Sequence, residues 1–174
     1  MIILTTLKQK DLAAVSAQQL FDNYYVGETK PKKINRYEQF EIIGHFDQNE
    51  LLEKIENSYV FANPNKHHLI TSPDHFNANE TYFNVCRKSP LNLNSKVKSL
   101  NQLIGHGEVT AVHSSELWAF QIDTPTQVDE LKLSLIESSS NNLAPFAHPL
   151  IHDVAMITFE DLVNALPKSQ TTTN

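Results

Sequence analysis

Eight histidines fall in clusters along this chain of 174 residues. The cluster with the spacing of a metal site is His148, His152 and Asp153. Imidazoles four residues apart share one face of a helix and can hold a transition metal, with a neighbouring carboxylate as a further ligand. That facing holds only on a helix, and Pro149 with strand-like sequence after it works against one. His67, His68, Asp74 and His75 form a second group, yet adjacent histidines on a strand point to opposite faces. His113-Ser114-Ser115-Glu116 contains the residue types of a hydrolytic triad without the glycine-flanked serine that such sites carry. Gly105-His106-Gly107 is too short to cradle a phosphate, and the whole chain has four glycines. The single cysteine, Cys86, lies in the strand-like run Tyr82-Phe83-Asn84-Val85-Cys86, where a buried, inert thiol is the simpler reading. No residue is therefore assigned a catalytic or cofactor-binding role, and no cofactor is expected. Metal binding at His148, His152 and Asp153 stands as the alternative.

The groups that would surround such chemistry are acidic overall. Fourteen basic against twenty acidic residues give a formal charge of -6, which argues against a nucleic-acid partner. The one basic run, Lys30-Pro31-Lys32-Lys33, contains a proline and reads as a solvated loop. One cysteine excludes an internal disulfide and suits a reducing compartment. Met1-Ile2-Ile3-Leu4 is too short for a signal sequence, and no apolar run reaches membrane-spanning length. The expectation is a cytoplasmic protein without a membrane partner.

Positioning these residues requires a series of short elements. Met1 to Leu7 reads as a strand, followed after Asp11 by a helix whose apolar stripe is Ala13, Ala17, Leu20, Phe21 and Tyr24, closed by Gly27. Tyr37 to Phe46 reads as the next strand. Asp47 with Glu50 gives a capping box for a helix with Leu51, Leu52, Ile55 and Tyr59 on its buried face, running on until Pro64 stops it. A short strand at His68 to Thr71 and a linker from Ser72 to Glu80 end the first half. The second half repeats the order: a strand at Thr81 to Lys88, a helix around Lys96 to Leu103, and a long strand from Glu108 to Ile122 that Ser114-Ser115 would bend or turn into a hairpin. Trp118 and Phe120 alternate along it as core residues. Thr124 with Gln127 caps a further helix carrying Val128, Leu131 and Leu135, and Ser138 to Asn142 forms a loop. Val154 to Ile157 is a last strand, and Thr158 opens a terminal helix with Phe159, Leu162, Val163 and Leu166.

Phe61-Ala62-Asn63-Pro64 matches Phe146-Ala147-His148-Pro149 at the same point of the same element order, which indicates a duplication. The units are 1–78 and 79–166, with a flexible tail at 167–174. Halves of roughly 80 residues would be marginal alone, so they are expected to pack on each other. Leu100 to Asp123 resembles the helix, glycine turn and long strand of the PurS small subunit of phosphoribosylformylglycinamidine synthase. Ala147-His148-Pro149-Leu150-Ile151-His152-Asp153 is similar to the stretch that ends that family's second helix, although His148 replaces an asparagine and His152 an acidic residue. The resemblance implies an α+β fold of two tandem PurS-like βαβαβ units, with antiparallel sheets and helices packed on one face, mimicking a PurS dimer or the related N-terminal region of the large synthetase. It also implies a non-catalytic scaffold or accessory protein in purine biosynthesis, acting through protein partners or self-association. The alternative function is a small metal-binding protein or metal-dependent enzyme that uses the histidine clusters.

Overall fold

The computed structural model describes residues 1–24, 30–122 and 151–167. Along them run β1 (Ile2–Leu7), α1 (Leu12–Tyr24), β2 (Lys33–Phe46), α2 (Gln48–Glu56), β3 (His67–Ile70), a 3-10 turn (Pro73–His75), β4 (Glu80–Arg87), α3 (Asn94–Leu103), β5 (Gly107–Gln121), β6 (His152–Ile157) and α4 (Phe159–Ala165). The strands pair antiparallel in the order β3-β1-β2-β5-β4-β6. The fold is therefore α+β, with one continuous sheet in place of the separate sheets expected. β2 and β5 pair along the whole length of β2, from Lys33 opposite Gln121 to Phe46 opposite Gly107. Ser114 and Ser115 sit opposite Phe40 and Gln39 inside that ladder, which runs through them without a turn or a register shift.

Strand alternation divides the apolar residues between two faces. Ile34, Phe40 and Ile42 of β2 point to one face. There Ala17 and Phe21 of α1 cover Ile34, Phe83, Trp118 and Phe120, while α2 and α3 bring Leu51, Leu52, Ile55 and Leu100 onto Phe40, Ile42 and Val112. Tyr37 points to the other face, where it packs with Leu4, Ile70, Tyr82 and Leu117 beneath Leu162 and Leu166 at the carboxyl end. Three described helices thus share a face and α4 takes the opposite one, a departure from helices on one face only. Two separate apolar sets on alternate strand positions need two covers, and exposing either would cost about 1.5–3 kcal/mol per large side chain.

Local chemistry fixes where these elements begin and end. Asp47 caps α2 by accepting from the N–H groups of Asn49 (2.8 Å) and Glu50 (2.9 Å). Glu50 carries no reciprocal bond back to the cap; its carboxylate accepts from the Gly105 N–H at 3.3 Å and ties α2 to the turn after α3. The helix stops at Glu56, well before Pro64, because Asn57 and Ser58 donate their side chains to the carbonyls of Glu53 and Ile55, both at 2.9 Å. Tyr59 then lies outside the helix and is 77% exposed. In α1 the buried positions are Ala14, Ala17 and Phe21, so Ala13 and Tyr24 face outward. The segment from Ser72 is no simple linker: it delivers Phe76 into the core between the rings of Tyr37 (5.3 Å) and Tyr82 (5.8 Å). Gly27, the Thr124 cap and its helix, the Ser138 loop, the Phe146-Pro149 stop and the tail after Pro167 lie outside the described residues.

Candidate functional site

On the face covered by three helices, the middle row of the sheet carries charge where its neighbours are apolar. Glu38 of β2 and Glu116 of β5 are opposite partners in the ladder, and Arg36 precedes Glu38 on the same face. Like charges directly opposite repel, so a cation is needed beside them. Arg36 supplies it: Nε reaches Asp11 at 2.9 Å and Nη1 reaches Glu116 at 2.8 Å. Its guanidinium also stands 5.9 Å from the centre of the Trp118 ring, and Trp118 Nε1 donates to Glu116 at 3.1 Å. Burial works against the Arg36 charge, but the bonds and charges of Asp11 and Glu116 outweigh it and raise its pKa. Asp11 has a second duty, capping α1 by accepting from the Ala13 N–H at 2.9 Å. The Asp11–Arg36–Glu116 network therefore fastens the start of α1 to the β2–β5 junction.

Three openings that share lining residues surround this network. A cavity of about 470 Å³ is bordered by Glu38, Phe40, Arg87, Ser114, Glu116 and His152. Through Glu38 it adjoins a void of about 30 Å³ beside Thr5 and His67. Asp11 and Arg36 link that void to a cleft of about 400 Å³, whose rim carries Lys10, Lys32 and Lys33. Ala14, Val15 and Gln18 of α1 line one side of that cleft. Lys96 of α3 lies over Phe40, a residue of the larger cavity, with its ammonium 5.0 Å from the Phe40 ring centre and 4.8 Å from that of Phe61. Burial pushes its pKa down while Glu38 pulls it back up. Within the Asp11–Arg36–Glu116 network the ions satisfy one another, which suits positioning and recognition better than bond making.

Of the candidate residues from the sequence, Ser114, Ser115, Glu116 and His152 border the larger cavity and His67 the small void, without forming a metal-ligand or nucleophile–base cluster. His152 and Asp153 are neighbours on β6 opposite Arg87 and Cys86, so their side chains take opposite faces of the sheet; His148 lies outside the described residues. Among the described residues no three His, Cys, Asp or Glu side chains converge as metal ligands. His67 and His68 alternate on β3, with His67 Nδ1 accepting from the Asn63 N–H at 3.3 Å, and Asp74 accepts from the Ser72 hydroxyl at 2.7 Å. His113 faces Glu41 at 3.8 Å, while Ser114 points to the other side of β5. Burial, and then Asp153, raise the Cys86 thiol pKa, which makes it a poor nucleophile.

The glycine pair has a structural duty. β2 and β5 slip register between Ile43 and Gly44, where Thr110 is the extra residue. A Cβ on Gly44 would lie 2.1 Å from the Glu108 carbonyl oxygen, and one on Gly107, at φ +102°, would lie 2.2 Å from that of His45. Arg36 and Glu38 escaped the sequence reading, as did the joining of Asp11 and Glu116 to them, although a signal exists. Ile34, Arg36, Glu38, Phe40 and Ile42 occupy one strand face, and the charges interrupt an otherwise apolar set. No helix among the described residues is long and apolar enough to cross a membrane. No protein family model matches the chain, and neither a curated protein nor a solved structure matches it.

Proposed function

We propose that the chain is a non-catalytic, PurS-like accessory protein, a single-chain counterpart of a PurS dimer that holds other proteins together in a cytoplasmic complex of the phosphoribosylformylglycinamidine synthase type. The observation that carries this reading is the strand order. In β3-β1-β2 and in β6-β4-β5 the first strand of each half lies in the middle, the second at the centre of the sheet and the third at the edge. In each half the first strand is paired on both sides, Leu4 between Gln39 and Ile70 and Tyr82 between Ala119 and Ile157. Such an arrangement suits two equivalent units joined through their second strands. The locked ion network and the absence of a nucleophile and base brought together among the described residues favour assembly over catalysis.

The purified chain, mixed with the synthetase and glutaminase components of such a system, is expected to form a defined ternary complex by sedimentation velocity and to raise glutamine-dependent amidation. No complex at tens of micromolar protein, together with unchanged amidation, would overturn the assignment.

A further inference from the structure

β1 and β2 separate beside Thr5. Their ladder ends where Thr5 stands opposite Glu38, while β1 stays with β3 through Thr6 opposite His68 and Leu7 opposite His67. Backbone directions follow from the bonds at either end of β1. Met1 and Ile42 exchange bonds on the β2 side, the Ile42 N–H to the Met1 carbonyl at 2.8 Å and the terminal ammonium to the Ile42 carbonyl at 3.0 Å. The Lys8 N–H turns the other way, to the Lys66 carbonyl at 2.8 Å. Alternate residues of an antiparallel strand share a direction, so the odd-numbered residues of β1 face β2 and the even-numbered ones face β3. Leu7 therefore presents its N–H and C=O to the β2 side just past the last paired residues, where a continued register would set it opposite Arg36. The Arg36 carbonyl instead receives the Thr6 hydroxyl at 3.5 Å, well beyond the roughly 2.7–2.8 Å usual for such a bond.

This fork borders the void of about 30 Å³, whose lining includes Thr5, Leu7, Asp11, Arg36, Glu38 and His67. None of them adjoins in sequence a residue outside the described ranges. Thr5 is 1% exposed, and its hydroxyl oxygen has no hydrogen-bond partner in the protein. Native structures keep few buried polar atoms in that state, because each bears the full cost of leaving water. Asp11 and Glu38 add carboxylate acceptors to the same lining, and Leu7 and Arg36 add backbone groups. A water molecule needs about 10–15 Å³ of such space and about two to four polar partners, and the fork offers both. The Arg36 guanidinium on the lining disfavours a metal ion, and the Glu38 carboxylate disfavours an anion.

We propose that the fork is a binding site for an ordered water molecule, which hydrogen-bonds the Thr5 hydroxyl and bridges the Leu7 and Arg36 backbones where the ladder between their strands ends. Thr5 is then a positioning residue. Through the water it steadies the Arg36 main chain, and with it the guanidinium that joins Asp11 to Glu116. This site goes beyond the scaffold reading and does not depend on which partners the chain holds.

Thr5→Val, nearly the same shape, separates a bridged hydroxyl from an orphaned one. Removing a bridged hydroxyl costs a bond and leaves the water short of a partner, so the urea midpoint should fall. Removing an orphan trades a costly buried polar atom for a methyl group in a strand that favours β-branched residues, so the midpoint would rise. Relaxation dispersion of isotopically labelled water oxygen counts long-lived waters without interference from the threonine proton. Its amplitude should drop by about one water molecule between the wild-type chain and the folded variant. Water-to-amide Overhauser cross-peaks are expected at Leu7 or Arg36 in the wild-type chain and in Thr5→Ser, which keeps the hydroxyl. A midpoint that is unchanged or raised in Thr5→Val, equal dispersion amplitudes, or no water cross-peak at either amide would overturn the site. Should Thr5→Val not fold, the cross-peaks of the wild-type chain and of Thr5→Ser decide alone: present in both they support the water, and missing from either they remove it.

Discussion

Tyr37 and Tyr82 show how single groups on one sheet face make stability depend on pH. Burial, with help from Glu80, raises the Tyr37 phenol from its ordinary value near 10 to about 12. Tyr82 is raised by burial and by the Glu80 carboxylate, to which its hydroxyl donates at 2.8 Å while accepting from the Asn77 N–H at the same distance. A raised folded-state pKa on an acid means that the unfolded chain loses its proton first. Stability from these phenols is complete below about pH 10 and is lost as pH climbs toward 12, with a slope of up to about 1.4 kcal/mol per pH unit per tyrosine. Urea midpoints measured between pH 8 and 11 should fall above pH 10, and Tyr37→Phe should make that fall shallower. A wild-type midpoint that stays flat to pH 11 would contradict this. Both tyrosines stand in strand-like runs and were legible as strand residues, but their partnership is not. Phe76, which packs on both rings, sits in a polar stretch whose composition signals only a linker.

Elements were most legible where one local bond decides them. Asp47 and Thr158 announce helix starts because a side-chain oxygen within a few residues satisfies an otherwise orphaned N–H, and both do so. Helix ends and long-range charges were less legible. α2 ends through Asn57 and Ser58, residues with many other uses, whereas Pro64 is a louder but later signal. The pairing of Arg36 with Asp11 and Glu116 joins residues 25 and 80 positions apart, and no local pattern encodes that register. The glycines form an intermediate case: rarity drew attention to Gly105-His106-Gly107, yet the reason lies on the other strand. Gly107→Ala should cost more than about 2 kcal/mol, since the new Cβ meets backbone at 2.2 Å in a φ region closed to alanine, and no rotamer relieves it. Gly105→Ala meets nothing nearer than the flexible Glu50 carboxylate at 3.4 Å and should change the urea midpoint little. Equal losses for the two variants would show that the bulge tolerates a side chain.

At the scale of the whole molecule, the junction of β2 with β5 decides whether the halves behave as one body. Each half supplies one strand to that junction, and each covers it from its own side: α1 reaches across to Phe83, Trp118 and Phe120, while α3 packs with α2 over Phe40 and Ile42. Arg36 adds a bond from the first half to Glu116 of the second, and Asn35 reaches Glu80 at 3.5 Å. Separating the halves would strip the central rows of both faces, including the buried Tyr37 and Leu117, a loss far larger than the stability of a half this small. One cooperative transition follows. Trp118 is the sole tryptophan and sits at the junction, 5% exposed, so its fluorescence reports on the centre of the sheet while far-ultraviolet circular dichroism reports on the helices and strands together. The two urea curves should coincide with one midpoint and one slope. A tryptophan transition at lower urea than the circular dichroism transition would mean that the junction opens first and that the halves are independent domains. A disruptive substitution at that junction, Leu117→Asp, should then separate the curves only if such independence exists; in a single cooperative body it unfolds both halves at once.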